Sequence, residues 1–124
     1  MGQLVDRVAE MEAALGRGDW LAANDYLHPA ISYRVGALPA VTGIDAVRAY
    51  MEHQARHVIW VGHEMQLEIE AEDVAIIEVI SLFDRVSDGA RIRLPCTDIY
   101  RFEDGLIADW RVYADLRMLG VAAD

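Results

Sequence analysis

The sequence predicts an α+β fold, in which a strongly curved antiparallel sheet and three N-terminal helices enclose a cone-shaped apolar pocket. Apolar residues follow helical spacing in the first half of the chain and strand alternation after about residue 59. The order of the elements, three helices and then a meander of four strands, is typical of α+β proteins. The length of 124 residues fits one domain, assigned to residues 1–124, with a substantial core.

The composition excludes several classes of function. The chain carries 21 acidic against 11 basic residues, so it lacks the basic surface that nucleic-acid binding requires. It contains no lysine, which excludes Schiff-base chemistry and lysine-dependent phosphate loops. No apolar run approaches the ~20 residues of a membrane span, and the N-terminus does not resemble a signal peptide. The single cysteine, Cys96, fits a reducing compartment, and we expect a cytoplasmic protein.

Three helices are predicted before the sheet. The first is indicated by apolar residues at helical spacing, namely Leu4, Val8, Met11 and Leu15. Asp19 is a good N-cap for a short second helix at 20–27. A short strand at 30–35 follows, and Thr42 is the expected cap of a third helix at 44–57.

Alternation predicts the strands of the meander. A half-buried strand after residue 63 is indicated by three alternating apolar residues, Met65, Leu67 and Ile69. Residues 74–85 are nearly all apolar, so both faces of that strand should be covered. Turn signals at 87–89 and 104–105 separate it from two further strands, which begin at Arg91 and Leu106.

One acidic residue lies in an apolar row of the strand that begins at Arg91. Basic residues mark one face as the wetter one, and Asp98 lies on the other face between Cys96 and Tyr100. A buried, unpaired carboxylate is costly, so such a group is paired, or neutral with a raised pKa. Two interpretations stay open: a structural aspartate bonded to a neighbour, and a catalytic acid.

Several other side chains are candidates for contact with a ligand. Those expected to bind the substrate are Trp20, Tyr33, Ser81, Tyr100, Trp110 and Val112. The two phenols are suited to donate a hydrogen bond to a substrate carbonyl, although a buried tyrosine usually bonds to protein atoms instead. Trp110 is as well explained as a core residue without a ligand role.

A pair of histidines lies four residues apart on the predicted third helix. His53 and His57 therefore share a helix face. A third ligand is not evident, and the sequence HQARH lacks the glutamate of the zinc-protease motif, so we expect no metal. Either imidazole is a candidate for a second proton-transfer group, and an exposed or capping role is the alternative.

Four segments carry a resemblance to a known superfamily: GDW, HPAISYRVG, TGIDAVRAYM and DIYRFEDGLIADWRVYADLRMLG. The whole chain resembles the nuclear-transport-factor-2-like superfamily, and the last segment is most similar to its SnoaL-like branch of polyketide cyclases and cofactor-free isomerases. The resemblance implies a curved sheet with a pocket, no cofactor, and a homodimer. It does not by itself imply an activity, because the fold hosts enzymes and binding modules alike.

The catalytic patterns of related enzymes match this chain only in part. Ketosteroid isomerases carry an acid in a segment similar to DIYRF, which places it on Asp98. Their base would fall near Arg34 and their tyrosine near Met11, neither of which is suitable.

Two further patterns fit less well. The Arg and Asp positions of limonene-epoxide hydrolases fall on Val79, Ser81 and Val112, so epoxide hydrolysis is not expected. In SnoaL-type cyclases, the aspartate of the last strand would fall on Val112 and the histidine on Asp98. One acid is thus present, and its usual companion is absent.

The leading hypothesis is a cofactor-independent enzyme that transfers protons on an apolar, carbonyl-bearing small molecule, by isomerisation, cyclisation or dehydration. Asp98 would be the acid or the acid/base shuttle, with His53 or His57 as the second group. The rival is a non-catalytic binding or dimerisation domain, favoured by the missing second carboxylate. In either case we expect a homodimer formed by the outer face of the sheet, including Ile80 and Leu82.

Overall fold

The computed structural model describes residues 2–121, which form three α-helices, a six-stranded sheet and a short 3₁₀ helix. The helices are α1 (Gln3–Gly16), α2 (Trp20–Asn24), α3 (Ile44–Gln54) and the 3₁₀ helix (Leu116–Leu119). The strands are β1 (Leu27–Val35), β2 (Val41–Thr42), β3 (Val58–Ala71), β4 (Val74–Arg85), β5 (Arg91–Glu103) and β6 (Leu106–Ala114). The predicted α+β class and the three N-terminal helices are confirmed.

The sheet has the strand order β2-β1-β6-β5-β4-β3. Strands β3 to β6 form the predicted antiparallel meander, and β1 joins it in parallel beside β6. The sheet is curved and does not close. Its concave face is covered by α1, which contacts β3 and β4, and by α3, which contacts β1. No helix among residues 2–121 combines the length and hydropathy needed to cross a bilayer.

The helix boundaries differ from the prediction at the end of α2, and at the N-cap and the end of α3. Asp19 caps α2 as expected, because its Oδ1 accepts a hydrogen bond of 3.1 Å from the Ala22 amide. The helix ends earlier than predicted, and β1 already begins at Leu27. Thr42 does not cap α3, because Gly43 occupies the N-cap position, and α3 ends at Gln54 rather than at the predicted residue 57.

The prediction that β3 is half-buried is wrong. Met65, Leu67 and Ile69 are 40%, 48% and 44% exposed, because β3 is the edge strand of the sheet. A bulge between Met65 and Leu67 also moves them to different faces, since two residues of β3 there oppose one residue of β4. Met65 lies on the face of buried Val79, whereas Leu67 lies opposite exposed Glu78.

The outer face of β4 is less covered than the apolar run predicts. Its inward residues Ala75, Ile77 and Val79 are at most 2% exposed. The outward residues Ile80 and Leu82 are only half-buried in the isolated chain. Residues 2–121 of one chain therefore do not fully bury the outer face of β4.

Helix α1 crosses the concave face and is attached to the sheet at its N-terminus. Gly2 occupies the N-cap position and has no side chain with which to cap the helix. Instead, Glu70 of β3 accepts hydrogen bonds of 2.9 Å from the amides of Leu4 and Val5. A carboxylate at this end satisfies two free amides and favours the helix dipole. The edge strand thus positions the helix whose later turns reach the pocket.

Candidate active site

The inward row of β5 forms the floor of a cavity under the helices. Cys96, Asp98 and Tyr100 alternate with outward residues and are all at most 8% exposed. In the ladder, Asp98 lies opposite Ile77 of β4 and Val112 of β6. The carboxyl therefore lies near the middle of the sheet, where neighbouring side chains are apolar.

The cavity has a volume of about 480 Å³, within the range of small-molecule sites. Asp98 and Trp110 lie on the sheet side, and Glu12 lies on the helix side. The remaining wall is mostly apolar, and it includes Val35, Val58, Phe83, Leu94, Val112 and Leu116. Asp98 and Glu12 therefore face a largely apolar space, whereas Glu52, the third carboxyl of the lining, is 58% exposed.

Asp98 accepts two hydrogen bonds from buried aromatic side chains. Trp110 Nε1 donates to its Oδ2 at 3.1 Å, and the Tyr100 hydroxyl lies 3.2 Å from the same oxygen. Burial raises the pKa of Asp98 to about 6, and these two hydrogen bonds hold it below the value that burial alone would produce. Asp98 is therefore largely ionised at neutral pH but takes up a proton readily in mild acid.

Glu12 is a second buried carboxyl that faces the same cavity. Its side chain is 13% exposed and its Oε2 lies 3.4 Å from the Tyr100 hydroxyl. Burial, and then the negative charge of Asp98, raise the pKa of Glu12 to about 8, against the lowering effect of the Tyr100 hydrogen bond. At neutral pH the Glu12 carboxyl therefore retains its proton.

The Tyr100 hydroxyl bridges the two carboxyls. A phenol carries one proton, so it donates to only one of them at a time. With Glu12 protonated and Asp98 ionised, Glu12 donates to the phenolic oxygen and Tyr100 donates to Asp98. Burial raises the pKa of Tyr100 well above its usual value, so the bridge stays a neutral phenol. The three groups form one hydrogen-bonded system.

Packed aromatic rings fix the hydrogen-bond donor of Trp110. The ring centroids of Tyr33 and Trp110 are 4.9 Å apart in an edge-to-face arrangement, and those of Tyr100 and Trp110 are 5.0 Å apart. Both distances are favourable for aromatic pairs. The indole is therefore held from both sides with its N–H directed at Asp98.

The thiol beside Asp98 is not activated. Burial raises the pKa of Cys96 to about 11, while a hydrogen bond with Ser81 lowers it and the charge of Asp98 raises it further. The thiolate is the reactive form of cysteine, and little of it exists at neutral pH. Cys96 therefore contributes to the wall of the cavity rather than to chemistry.

A second cleft lies on the other side of Glu12. It has a volume of about 350 Å³, and Glu12, Gly16 and Trp60 line both spaces. His63 of β3 lines this cleft, with its Nδ1 3.8 Å from Glu12 Oε2. Burial lowers the pKa of His63, and the charge of Glu68 partly opposes this shift.

The sequence matches the model of one protein family, described as the SnoaL-like domain, over residues 8–110. The chain belongs to the SnoaL-like domain family. A search of curated proteins finds no match.

Solved structures share the fold of this SnoaL-like protein at low sequence identity. An NTF2-like protein of unknown function from Burkholderia pseudomallei has a TM-score of 0.84 at 19% identity, over 94% of this chain and 97% of that one. A proposed polyketide cyclase from Xanthomonas campestris pv. campestris has a TM-score of 0.77 at 18% identity, over 91% and 90%. An LEH-like epoxide hydrolase from M. tuberculosis has a TM-score of 0.76 at 15% identity, over 93% of this chain and 84% of that one. These matches establish the fold alone.

Five of the six residues predicted to bind substrate line the cavity of the SnoaL-like protein. They are Trp20, Tyr33, Ser81, Trp110 and Val112. Tyr100 does not line it: the side chain is 0% exposed, and its hydroxyl is taken up by Asp98 and Glu12. The strand alternation placed Tyr100 on the correct face, but α1 covers that part of the sheet.

The two histidines predicted as a second proton-transfer group lie outside the cavity lining. His53 and His57 do lie close together, with ring centroids 5.7 Å apart. In this segment the side chains that line the cavity instead include Met51, Gln54 and Ala55. The prediction that both imidazoles share a face of the third helix is wrong, because α3 ends at Gln54 and His57 lies in the turn that follows it. Among residues 2–121, no group of three or more His, Cys, Asp or Glu side chains is arranged to hold a metal.

Glu12 was not identified from the sequence, although a signal was present. The residue sits four after Val8 and three before Leu15, so it lies on the inward stripe of α1. Val8 and Met11 are buried, and Leu15 packs against the core. An acidic residue within an apolar helical stripe is the helical counterpart of Asp98 within an apolar strand row.

Proposed function

We propose that this SnoaL-like protein is a cofactor-independent enzyme that transfers protons on an apolar small molecule bearing a carbonyl group. The reaction would be an isomerisation, a cyclisation or a dehydration, each of which requires removal of a proton next to a carbonyl and delivery of a proton elsewhere. The observation that carries the proposal is the pair of carboxyls, Asp98 and Glu12, that face one apolar cavity.

The two carboxyls have environments that separate their pKa values, about 6 for Asp98 and about 8 for Glu12. Such a separation is how enzymes assign an acid and a base among like groups. At neutral pH it supports Asp98 as the base and Glu12 as the acid. This reverses the role expected for Asp98 from the sequence, because Trp110 and Tyr100 both stabilise its ionised form.

The cavity wall supports an apolar, uncharged substrate. Of the described residues that line it, Arg17 is the one cation, and its side chain is 60% exposed. An anionic substrate would meet a carboxylate inside and no buried cation to pair with it, which is unfavourable. A neutral ketone would accept a hydrogen bond from protonated Glu12, while the Asp98 carboxylate faces an adjacent carbon.

Epoxide hydrolysis remains a less suitable reaction for this chain. The positions that carry Arg and Asp in the limonene-epoxide hydrolase pattern hold Val79, Ser81 and Val112 here. Ser81 and Val112 line the cavity, but neither can ionise to activate a water molecule. The alternative hypothesis, a non-catalytic binding module, was based on the absence of a second carboxyl. Glu12 supplies that carboxyl, so the alternative loses its main support.

The direct experiment measures exchange of carbon-bound hydrogen. The protein is incubated in D₂O with apolar cyclic ketones such as 2-decalone, and deuterium next to the carbonyl is followed by NMR. We expect protein-dependent exchange, reduced about 100-fold or more by Asp98→Asn and by Glu12→Gln, since general acid–base groups contribute that much.

A matched control separates these effects from a general change in charge. Glu10 is exposed on the same helix, two residues before Glu12. Glu10→Gln should therefore retain the exchange activity. The proposal fails if no ketone in the panel exchanges faster than in buffer, or if Asp98→Asn exchanges as fast as the wild-type protein.

We also propose a homodimer and a cytoplasmic location. The dimer is supported by the apolar outer face of the sheet, where Leu67 and Ile69 are 48% and 44% exposed and Ile80 and Leu82 are half-buried. The location is supported by the free, buried thiol of Cys96.

A further inference from the structure

The bridge between the two carboxyls lies behind the cavity rather than inside it. Tyr100 is fully buried, and it does not belong to the cavity lining. A bound ligand therefore does not have to displace it. Its hydroxyl is 3.2 Å from Asp98 Oδ2 and 3.4 Å from Glu12 Oε2. A hydroxyl can accept a proton from one neighbour while it donates its own to another.

A further polar side chain, His63, lies between Glu12 and the second cleft. His63 Nδ1 lies 3.8 Å from the same Glu12 oxygen that faces Tyr100. The imidazole lines the second cleft, on the far side of Glu12 from Asp98. An imidazole can take up a proton on one ring nitrogen and release one from the other. The separation of 3.8 Å is longer than a hydrogen bond, so transfer at this link requires the His63 ring to move towards Glu12.

We infer that Tyr100 and His63 form a proton relay behind the cavity, which connects Asp98 to Glu12 and Glu12 to the second cleft. The inference rests on the proposed function, because it describes how the carboxyl pair is restored after a turnover. It adds a task that neither Tyr100 nor His63 has in binding the substrate.

The restoring step balances without any other reactant. After a turnover, Asp98 holds the proton taken from the substrate, and Glu12 has given its own proton away. The Asp98 hydroxyl passes its proton to the phenolic oxygen of Tyr100, while Tyr100 passes its own proton to the Glu12 carboxylate. Tyr100 ends as a neutral phenol, Asp98 as a carboxylate and Glu12 as a carboxylic acid, which is the starting state.

The step through His63 exchanges protons with water while a ligand fills the cavity. A doubly protonated His63 donates its Nδ1 proton to the Glu12 carboxylate and keeps the proton on Nε2. The reverse step releases a proton to the second cleft. Isomerisation, cyclisation and dehydration consume no net proton, so this step is not needed to balance a turnover; it exchanges the Glu12 proton with water while a bound ligand covers the cavity side of both carboxyls.

Several charged or titratable groups act on the relay from different elements. Glu12 is faced by Asp98 and Tyr100 of β5 and by His63 of β3. His63 is also acted on by Glu68 of its own strand, and it packs against the ring of Trp60 at 5.8 Å. Tyr33 of β1 is close enough to Asp98 for their charges to interact. A test must therefore separate coupling through Tyr100 from simple proximity of charges.

The first test is a double-mutant cycle measured at His63 by NMR on the protein alone. In Asp98→Asn, the negative charge that adds to the effect of burial on the pKa of Glu12 is gone, and the Tyr100 hydroxyl no longer faces a carboxylate at 98 that competes with Glu12 for its proton, so Glu12 ionises more readily. A more ionised Glu12 should raise the pKa of His63. Direct loss of a negative charge at position 98 would lower the pKa of His63, so the sign distinguishes the two causes.

The same substitution is then made in Tyr100→Phe, where the phenolic bridge is absent. We expect the rise in the pKa of His63 to be smaller there but not absent, because the charge of Asp98 also acts on Glu12 directly. Tyr33→Phe, which removes another buried hydroxyl near Asp98, should leave the rise unchanged. An equal rise with and without the Tyr100 hydroxyl, or a fall, would overturn the relay.

The second test is kinetic and uses any ketone that exchanges or isomerises in the assay described above. Tyr100 stabilises the Asp98 carboxylate, so Tyr100→Phe should slow the first turnover as well; the relay, which restores the site after chemistry, predicts a further slowing of the later turnovers. Later turnovers should be slower by about tenfold or more, which produces a burst. Equal slowing of the first and later turnovers would show a merely structural role. If no ketone reacts, the proposed function fails, and the His63 titration still decides the relay.

Discussion

Replacing Asp98 by asparagine should change how the stability of the protein depends on pH. Burial raises the pKa of Asp98 from 3.8 to about 6, so the folded protein binds this proton more tightly than the unfolded chain does. The stability gained from that proton is fully present below pH ~3.8 and is lost as the pH rises through ~6. Asparagine is neutral at every pH and removes this dependence.

The size of the effect follows from the shift in pKa. One pKa unit corresponds to about 1.4 kcal/mol, so keeping Asp98 ionised inside the fold costs about 3 kcal/mol above pH ~7. Roughly half of that cost is already present at pH ~5, where the unfolded chain has lost the proton and the folded protein has not. The variant should therefore gain about 1.5 kcal/mol on the wild-type protein between pH ~5 and ~8.

The assay is urea unfolding followed by circular dichroism at both pH values for both proteins. Comparing the two proteins cancels the titration of groups that do not sense residue 98, while Glu12 contributes in the same direction because its pKa falls when the charge of Asp98 is removed. The reasoning is refuted if the difference between the proteins is the same at both pH values. It is also refuted if the Asp98 carboxyl titrates at or below the ordinary value of ~3.9 by carbon-13 NMR.

Three further predictions concern the pair of carboxyls, the outer face of the sheet and the start of α1. Ketone turnover should follow a bell-shaped pH profile with limbs near 6 and 8, as expected for Asp98 as base and Glu12 as acid. The protein should scatter light as a dimer at high micromolar concentration, and Ile80→Asp with Leu82→Asp should shift it to a monomer. Glu70→Ala should lower the free energy of unfolding by about 1 kcal/mol in urea titrations, because two amides lose their acceptor.

Each of these predictions has a clear contrary outcome. A flat profile across pH ~5 to ~9 would remove the acid and base assignments. A monomer mass for the wild-type protein would leave the outer face without its proposed partner. Unchanged unfolding in Glu70→Ala would show that water replaces the carboxylate at the α1 amides at no cost. Loss of fold in the double variant would be detected by circular dichroism before light scattering is interpreted.

Strand alternation predicted the position of Asp98 because period-two patterning depends only on local geometry. It placed an acid in an apolar row, and the structure places that residue on the floor of the cavity with 8% exposure. The donors to its carboxyl were harder to predict. Trp110 was expected on the correct face, but its contact with Asp98 depends on how β5 and β6 are paired in register.

The parts that were missed depend on tertiary contacts. Glu12 became a site residue because α1 packs its inward stripe over the sheet, which no local pattern specifies. The bulge that separates Met65 from Leu67 depends on the pairing of β3 with β4, and alternation alone cannot reveal it. The end of α3 at Gln54 leaves His57 outside the helix, so the helix face predicted for both His53 and His57 is not observed.

The attachment of α1 to β3 has a mechanical consequence for the cavity. Glu70 binds the helix at Leu4 and Val5, and Glu12 lies two turns further along, about 10 Å at 1.5 Å per residue. A helix of this length transmits a displacement along its axis as a rigid rod. The position of β3 therefore determines how far the Glu12 carboxyl extends into the cavity. A change at the rim of the sheet that slid α1 by a single residue's rise would pull the acid away from Tyr100, even though nothing in the cavity had been altered.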